Sequence, residues 1–191
     1  AKWVVHRGLS HLREWQGKLD VSLALNIQAC LVNSPDLPSL LGDALAIWGI
    51  DPGQVTVEIT ESGIIEDKDS GFENLLSMRD LGIHLAIDDF GTGYSSLSYF
   101  KHIPASELKI DQSFVRSMLS DSQDLELVKI MIRIAHQFGL AVVAEGIEDR
   151  ETLDTLRELG CDYGQGYYFI KPLDARSFAS WVGDWQGLAS R

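Results

Sequence analysis

Two adjacent carboxylates, Asp88 and Asp89, stand where the apolar run Leu85–Asp88 gives way to Phe90-Gly91-Thr92-Gly93, a loop rich in glycine. Neighbouring aspartates suit divalent cations, because one carboxylate can bridge two ions while the other holds the second. Polar groups recur at the ends of further short apolar runs. Asn26 closes Val21–Asn26, Glu58 lies in Val55–Thr60, Lys109 interrupts Leu108–Ile110, and Glu145 follows Leu140–Ala144. Gln165 falls in a weaker run, Tyr163–Phe169. Each has an ordinary explanation by itself: Asn26 and Gln165 can serve turns, the aspartates can bind backbone amides, and Glu58 can face solvent. Lys109, set among apolar neighbours, requires anionic company. Glu61 reads as a supporting carboxylate or as a cap, and Glu148 lies three residues beyond Glu145.

Taken jointly, the donors are oxygen-rich. The five histidines lie apart with no H-x-x-x-H spacing, and the two cysteines, Cys30 and Cys161, form no C-x-x-C pair. Oxygen-only ligands select Mg²⁺ or Mn²⁺ over zinc. Two such ions about 3.5–4 Å apart can polarise a phosphodiester, activate water and stabilise the leaving oxygen. A lysine and a glutamate nearby can orient that water or shuttle its proton.

The elements that must position these groups follow from periodicity. Leu37, Leu40, Leu41, Ala44, Leu45 and Trp48 form a helical stripe with Pro38 in its first turn. Leu127, Val128, Met131, Ile132, Ala135 and Phe138 form another, ended by Gly139, and Leu153, Leu156 and Leu159 precede Gly160. Phe178, Trp181, Val182 and Trp185 outline a last helix capped by Asp174, and Trp3 to Trp15 an opening one. Three times a helix ending in glycine runs straight into an apolar stretch: Gly82-Ile83, Gly139-Leu140 and Gly160-Cys161. Such alternation predicts a parallel α/β sheet.

A doubly wound sheet should carry a G-x-G-x-x-G turn after its first strand, and the sequence has none. A (βα)8 barrel instead draws its site from the C-terminal ends of many strands, as the polar run ends suggest. Six strands are predicted here, two fewer than a barrel that typically needs about 250 residues.

The chain of 191 residues, 45% hydrophobic and 23% charged, is long enough to bury one core. Its net charge of −12 argues against a surface that coats DNA or RNA, yet bound cations can reverse the sign of an acidic cleft for a small phosphorylated substrate. No apolar run approaches the roughly 18 residues of a membrane span. Cys30 and Cys161 read as buried free thiols in a reducing, cytoplasmic compartment.

These motifs are similar to those of the bacterial EAL domain. The resemblance is carried by Asn26, Glu58-Ile59-Thr60-Glu61-Ser62, Asp88-Asp89-Phe90-Gly91-Thr92-Gly93-Tyr94-Ser95-Ser96-Leu97, Leu108-Lys109-Ile110-Asp111, Ala144-Glu145-Gly146-Ile147-Glu148 and Gln165-Gly166-Tyr167. It implies a TIM-like (βα)8 barrel and hydrolysis of cyclic di-GMP to linear pGpG with two Mg²⁺ or Mn²⁺ ions. By the same resemblance Asn26, Glu58 and Asp88 ligate one metal, and Asp88 bridges to a second that Asp89 also binds. Lys109 and Glu145 contact the attacking water, and either can be the general base. Asp111 is then a partner of that lysine or of the water network, Glu61 steadies the loop Asp89–Gly93, and Glu148 and Gln165 complete the ligand contacts.

The resemblance further implies a homodimer through the 89–93 loop and adjacent helices. Residues 1–191 are expected to be an EAL domain lacking its first two strands and the Glu-Ala-Leu motif, within a longer protein with sensory or GGDEF domains and an optional membrane anchor. The alternative from another functional class is a receptor that binds cyclic di-GMP without cutting it, a lineage in which the acidic positions usually erode. Here they are intact.

Overall fold

Runs such as Val55-Thr56-Val57-Glu58-Ile59-Thr60 are dense in β-branched residues, whose restricted side chains suit a pleated strand. The computed structural model describes residues 2–61, 70–92 and 102–189. Among them are six strands: β1 (Leu23–Asn26), β2 (Val55–Thr60), β3 (His84–Phe90), β4 (Glu107–Ile110), β5 (Ala141–Ala144) and β6 (Tyr163–Gly164). The helices are α1 (Lys2–Trp15), α2 (Ala29–Val32), α3 (Leu37–Trp48), α4 (Ser70–Asp80), α5 (Gln112–Ser117), α6 (Ser122–Gln137), α7 (Arg150–Glu158) and α8 (Ala175–Ala189). No helix among the described residues is long and apolar enough to cross a membrane.

Every neighbouring pair of strands is parallel, and their spatial order is their chain order, β1 to β6. A doubly wound sheet reverses its order at a switch point, whereas sequential order is what a barrel wall requires. The fold is therefore a curled, TIM-like α/β half-barrel of six strands. The outer strands β1 and β6 end the sheet. Trp15 of α1 nevertheless lies 5.2 Å, ring to ring, from Phe178 of α8, so the first and last helices meet.

Alternation along the strands divides the sheet's two faces. Leu25, Val57, Ile59, Leu85, Ile87, Leu108, Ile110, Val142 and Ala144 are buried toward the helices, where they join Leu41, Leu75, Met78, Val128, Ile132 and Leu156. The opposite, concave face carries Thr56, Glu58, Ala86, Asp88 and Lys109, all buried. Helix starts are fixed by aspartates. Asp121, Asp149 and Asp174 each accept a hydrogen bond from a backbone N–H two or three residues on, in the manner of an N-cap.

Two expectations are corrected. The run Tyr163–Phe169 is strand only at Tyr163–Gly164. Beyond it the chain turns, with Phe169 N donating to Gly166 O and Tyr168 N to Ile147 O. A Cβ at Gly166 would overlap the Ile147 backbone, so the turn presses there as only glycine permits. Cys30 is exposed, because the four-residue helix α2 buries only Val32. Cys161 is half-buried and free, and burial pushes its thiol up to about 11. The α6 stripe forms as expected, with Val128, Met131, Ile132 and Ala135 buried, Leu127 at its exposed margin and Phe138 as the residue that caps the helix end.

Candidate metal and phosphodiester site

Register explains how residues far apart in sequence share one face. Asn26 pairs with Glu58 across β1 and β2, and Glu58 pairs with Ala86, two residues before Asp88, across β2 and β3. Period-two alternation then sends Asn26, Glu58 and Asp88 to the same side. Asn26 lies at the exposed edge of this row, and Glu58 and Asp88 are each only 8% exposed.

Alternation alone would send Asp89 to the opposite side. Instead the β3–β4 ladder slips: Ile87 pairs with Leu108 and Phe90 with Ile110, so Asp88 and Asp89 together oppose Lys109. This is a β-bulge, an extra residue that re-aims a side chain. Asp89 takes its left-handed backbone, φ 54°, one of few conformations in which an aspartate tolerates positive φ. As a result Asp88, Asp89 and Glu145 each offer an oxygen within 4.8 Å of the others.

Lys109 occupies the middle. Its Nζ lies 2.9 Å from Glu58 Oε1, 3.1 Å from Asp88 Oδ1 and 2.7 Å from Glu145 Oε1. Burial by itself would lower the ammonium's pKa, but the hydrogen bonds it donates to Glu145 and Glu58 outweigh it and hold the lysine well above its ordinary value. Burial raises Glu145 despite the bond from Lys109, with the Asp88 and Glu58 charges adding to the rise. Asp89 is raised by burial and then by the Asp88 and Asp111 charges. Deeper on the concave face Glu107 is raised by burial and by Glu58, against the opposing pull of His84. Glu58, Asp88, Asp89 and Glu145 thus confront a single lysine, and the excess of hard oxygen donors fits a hard divalent cation.

The remaining expected residues take distinct places. Glu61, 5% exposed, accepts a hydrogen bond from Gly91 N at 2.9 Å and ties the end of β2 to the turn after β3. Gly91 has φ 99° and sits against Phe114 and Met131, so a side chain there would collide with both. Gly93, Tyr94–Leu97 and Ser62 of the motifs lie outside the described residues. Asp111 does not pair with Lys109: its carboxylate accepts from Ser113 N at 3.0 Å and from Ser113 Oγ, capping α5. A residue just after a strand and just before a helix is drawn to that cap.

Glu148 and Gln165 join Glu145 around a cavity of about 200 Å³, together with Gln112, Arg116 and Tyr167. Arg116 Nη2 holds Glu148 Oε1 at 2.6 Å, both side chains half exposed. Gln165 is fixed through its backbone, its N–H donating to Ala144 O and its carbonyl accepting from Ile147 N. Sequence reading missed Arg116 and Gln112, which sit on a helix outside every motif.

A family profile described as EAL domain matches residues 1–172. The oxygen sensor protein DosP of Escherichia coli K12 is 39% identical over 183 residues, 95% of this chain and 23% of DosP. MucR of Pseudomonas aeruginosa, a bifunctional diguanylate cyclase/cyclic di-GMP phosphodiesterase, is 34% identical over 95% of this chain and 27% of its own. The MucR phosphodiesterase solved with c-di-GMP superposes with a TM-score of 0.89, covering 93% of this chain and 72% of that one. A manganese and cyclic di-GMP complex of BlrP1 from Klebsiella pneumoniae superposes with TM-score 0.78 at 31% identity, over 90% of this chain and 43% of that one. The chain spans about a quarter of the length of the curated relatives it matches. With the profile covering most of its length and the sheet carrying the motif residues along one concave face, the chain belongs to the EAL domain family.

Proposed function

We propose that this chain carries the active site of a metal-dependent phosphodiesterase that hydrolyses cyclic di-GMP to linear pGpG. The observation that supports it most is the convergence of Glu58, Asp88 and Glu145 on one buried face around Lys109, with Asp89 turned in beside them by the bulge. Similarity to MucR and BlrP1, whose complexes contain c-di-GMP, supports the choice of substrate.

In this reading Asn26, Glu58 and Asp88 would hold one Mg²⁺ or Mn²⁺ ion, and Asp88 and Asp89 would hold a second. When bound, the two cations supply charge stabilisation at the phosphodiester and acidify the attacking water. Lys109 Nζ and Glu145 Oε1, 2.7 Å apart, would flank that water, with the Lys109 ammonium orienting it and the Glu145 carboxylate taking its proton. Glu61 keeps the Gly91 turn at a fixed distance from Asp88 and Asp89, and Asp111 acts through α5 and through its charge on Asp89. Glu148 and Gln165, with Arg116 between α5 and the loop after β5, receive the part of the dinucleotide that extends past Glu145.

Residues 1–191 are, in this proposal, most of an EAL domain whose two opening strands and Glu-Ala-Leu motif belong to a longer chain. That chain would join sensory or GGDEF-type domains and pair as a homodimer through the 89–93 region. The test is chromatographic assay of cyclic di-GMP with Mg²⁺ or Mn²⁺, using the longer chain with the opening strands present. Formation of pGpG, abolished by EDTA, is expected. Tight binding of cyclic di-GMP without turnover would instead make the protein a receptor.

A further inference from the structure

Lys109 is the site's own cation. Its Nζ contacts Glu58, Asp88 and Glu145 at 2.9, 3.1 and 2.7 Å, and its side chain is 5% exposed. An ammonium has three protons to donate, so three carboxylate partners use it fully. Two of those partners, Asp88 and Glu145, also belong to the group whose oxygens gather with that of Asp89 within 4.8 Å. The oxygens suited to a divalent ion are therefore already engaged by a fixed positive charge. Without that charge, buried carboxylates at this separation would repel one another and open the strand ends.

We infer that Lys109 is a built-in substitute for metal: it holds Glu58, Asp88 and Glu145 together before a divalent cation binds and gives up Asp88, in part or wholly, when one enters. This rests on the metal reading above and adds two consequences to it. The lysine frees folding from dependence on metal, and it weakens metal affinity, because an incoming ion must displace a charge already in place.

The test uses the purified protein with Mn²⁺ alone as probe, followed by calorimetric titration and by thermal melting in EDTA and in Mn²⁺. Lys109→Met, which keeps the side-chain length and removes the charge, is expected to melt below the wild type in EDTA and to gain more on adding Mn²⁺. Its Mn²⁺ affinity should be tighter by about tenfold or more. Lys109→Arg, which keeps the charge, should stay near the wild-type affinity, and tightening by Arg equal to that by Met would assign the effect to packing and overturn the inference. Equal or weaker Mn²⁺ binding by Lys109→Met, with wild-type binding intact, overturns the inference and leaves the proposed function standing. Absence of Mn²⁺ binding to both overturns both. Should Lys109→Met not fold even with Mn²⁺, amine labelling of the wild type read by mass spectrometry decides. Lys109 should be shielded in EDTA and label several-fold faster with saturating Mn²⁺, and an unchanged rate contradicts its release.

Discussion

Lys109 Nζ lies 3.1 Å from Asp88 Oδ1 although the ladder between their strands slips by one residue at this level. The slip does not separate the two residues. It adds Asp89 to the same side, so one lysine faces two consecutive carboxylates. A regular ladder would have left Asp89 among the helices, on the apolar face.

The left-handed backbone at Asp89 makes a prediction that separates folding from ligation. Asp89→Gly removes the carboxylate and relieves a conformation that costs a non-glycine residue about 1 kcal/mol. Its melting temperature should equal or exceed that of the wild type while Mn²⁺ affinity by calorimetry falls. A large loss of stability together with unchanged affinity would place the importance of Asp89 in the fold and not in the site.

Glu61 should act on the loop and not on the metal. Glu61→Ala leaves the Gly91 N–H without its buried acceptor, a loss of about 1–3 kcal/mol. Hydrogen exchange of the Gly91 amide should accelerate, with turnover reduced and Mn²⁺ affinity nearly kept. Unchanged exchange at Gly91 would contradict the tie.

The half-barrel also carries a pH-dependent staple between α6 and the strands. Asp162 Oδ2 contacts His136 Nε2 at 2.9 Å and accepts from Val142 N at 2.8 Å. Burial opposes its ionisation, but the bond to His136, followed by that to Val142, outweighs it and holds the carboxyl below its ordinary value of 3.8. A depressed folded pKa gives stability that is present above the unfolded value and lost as pH falls through the folded one. Asp162→Asn should therefore melt below the wild type at pH 7, with the difference closing as pH drops below 3.8. A difference constant with pH would show that the charge of Asp162 is immaterial.

Much of this arrangement was legible in the sequence, and the residues that were not share a cause. Asn26, Glu58, Asp88 and Glu145 could be assigned to neighbouring strand ends because helix stripes and glycine stops fixed a parallel alternation. The register pairs then put Asn26, Glu58 and Asp88 on one face. Lys109, set among apolar neighbours, needs anionic company, and it has three partners. The bulge was hidden, since period-two patterning sends Asp88 and Asp89 apart and nothing local announces a slip. Asp111 matches a motif, and its carboxylate also caps α5, which starts at the next residue, so that cap competes with any pairing to Lys109. Arg116 and Gln112 are invisible to strand-end logic because a helix after β4 swings them over the cavity beside Glu145.

Asp88 is the residue on which most depends, since it pairs with Lys109 and belongs to the acidic group. If Asp88 bridges two ions as proposed, Asp88→Asn should reduce cyclic di-GMP turnover by about a thousandfold or more. Turnover insensitive to this change would remove the two-ion mechanism.

The most direct test of the central claim is an anomalous difference map from crystals soaked in Mn²⁺. It should show density bounded by Asn26, Glu58, Asp88, Asp89 and Glu145, with the Lys109 ammonium moved away from Asp88. Manganese bound only elsewhere, or a Lys109 cluster unchanged at saturating Mn²⁺, would contradict it.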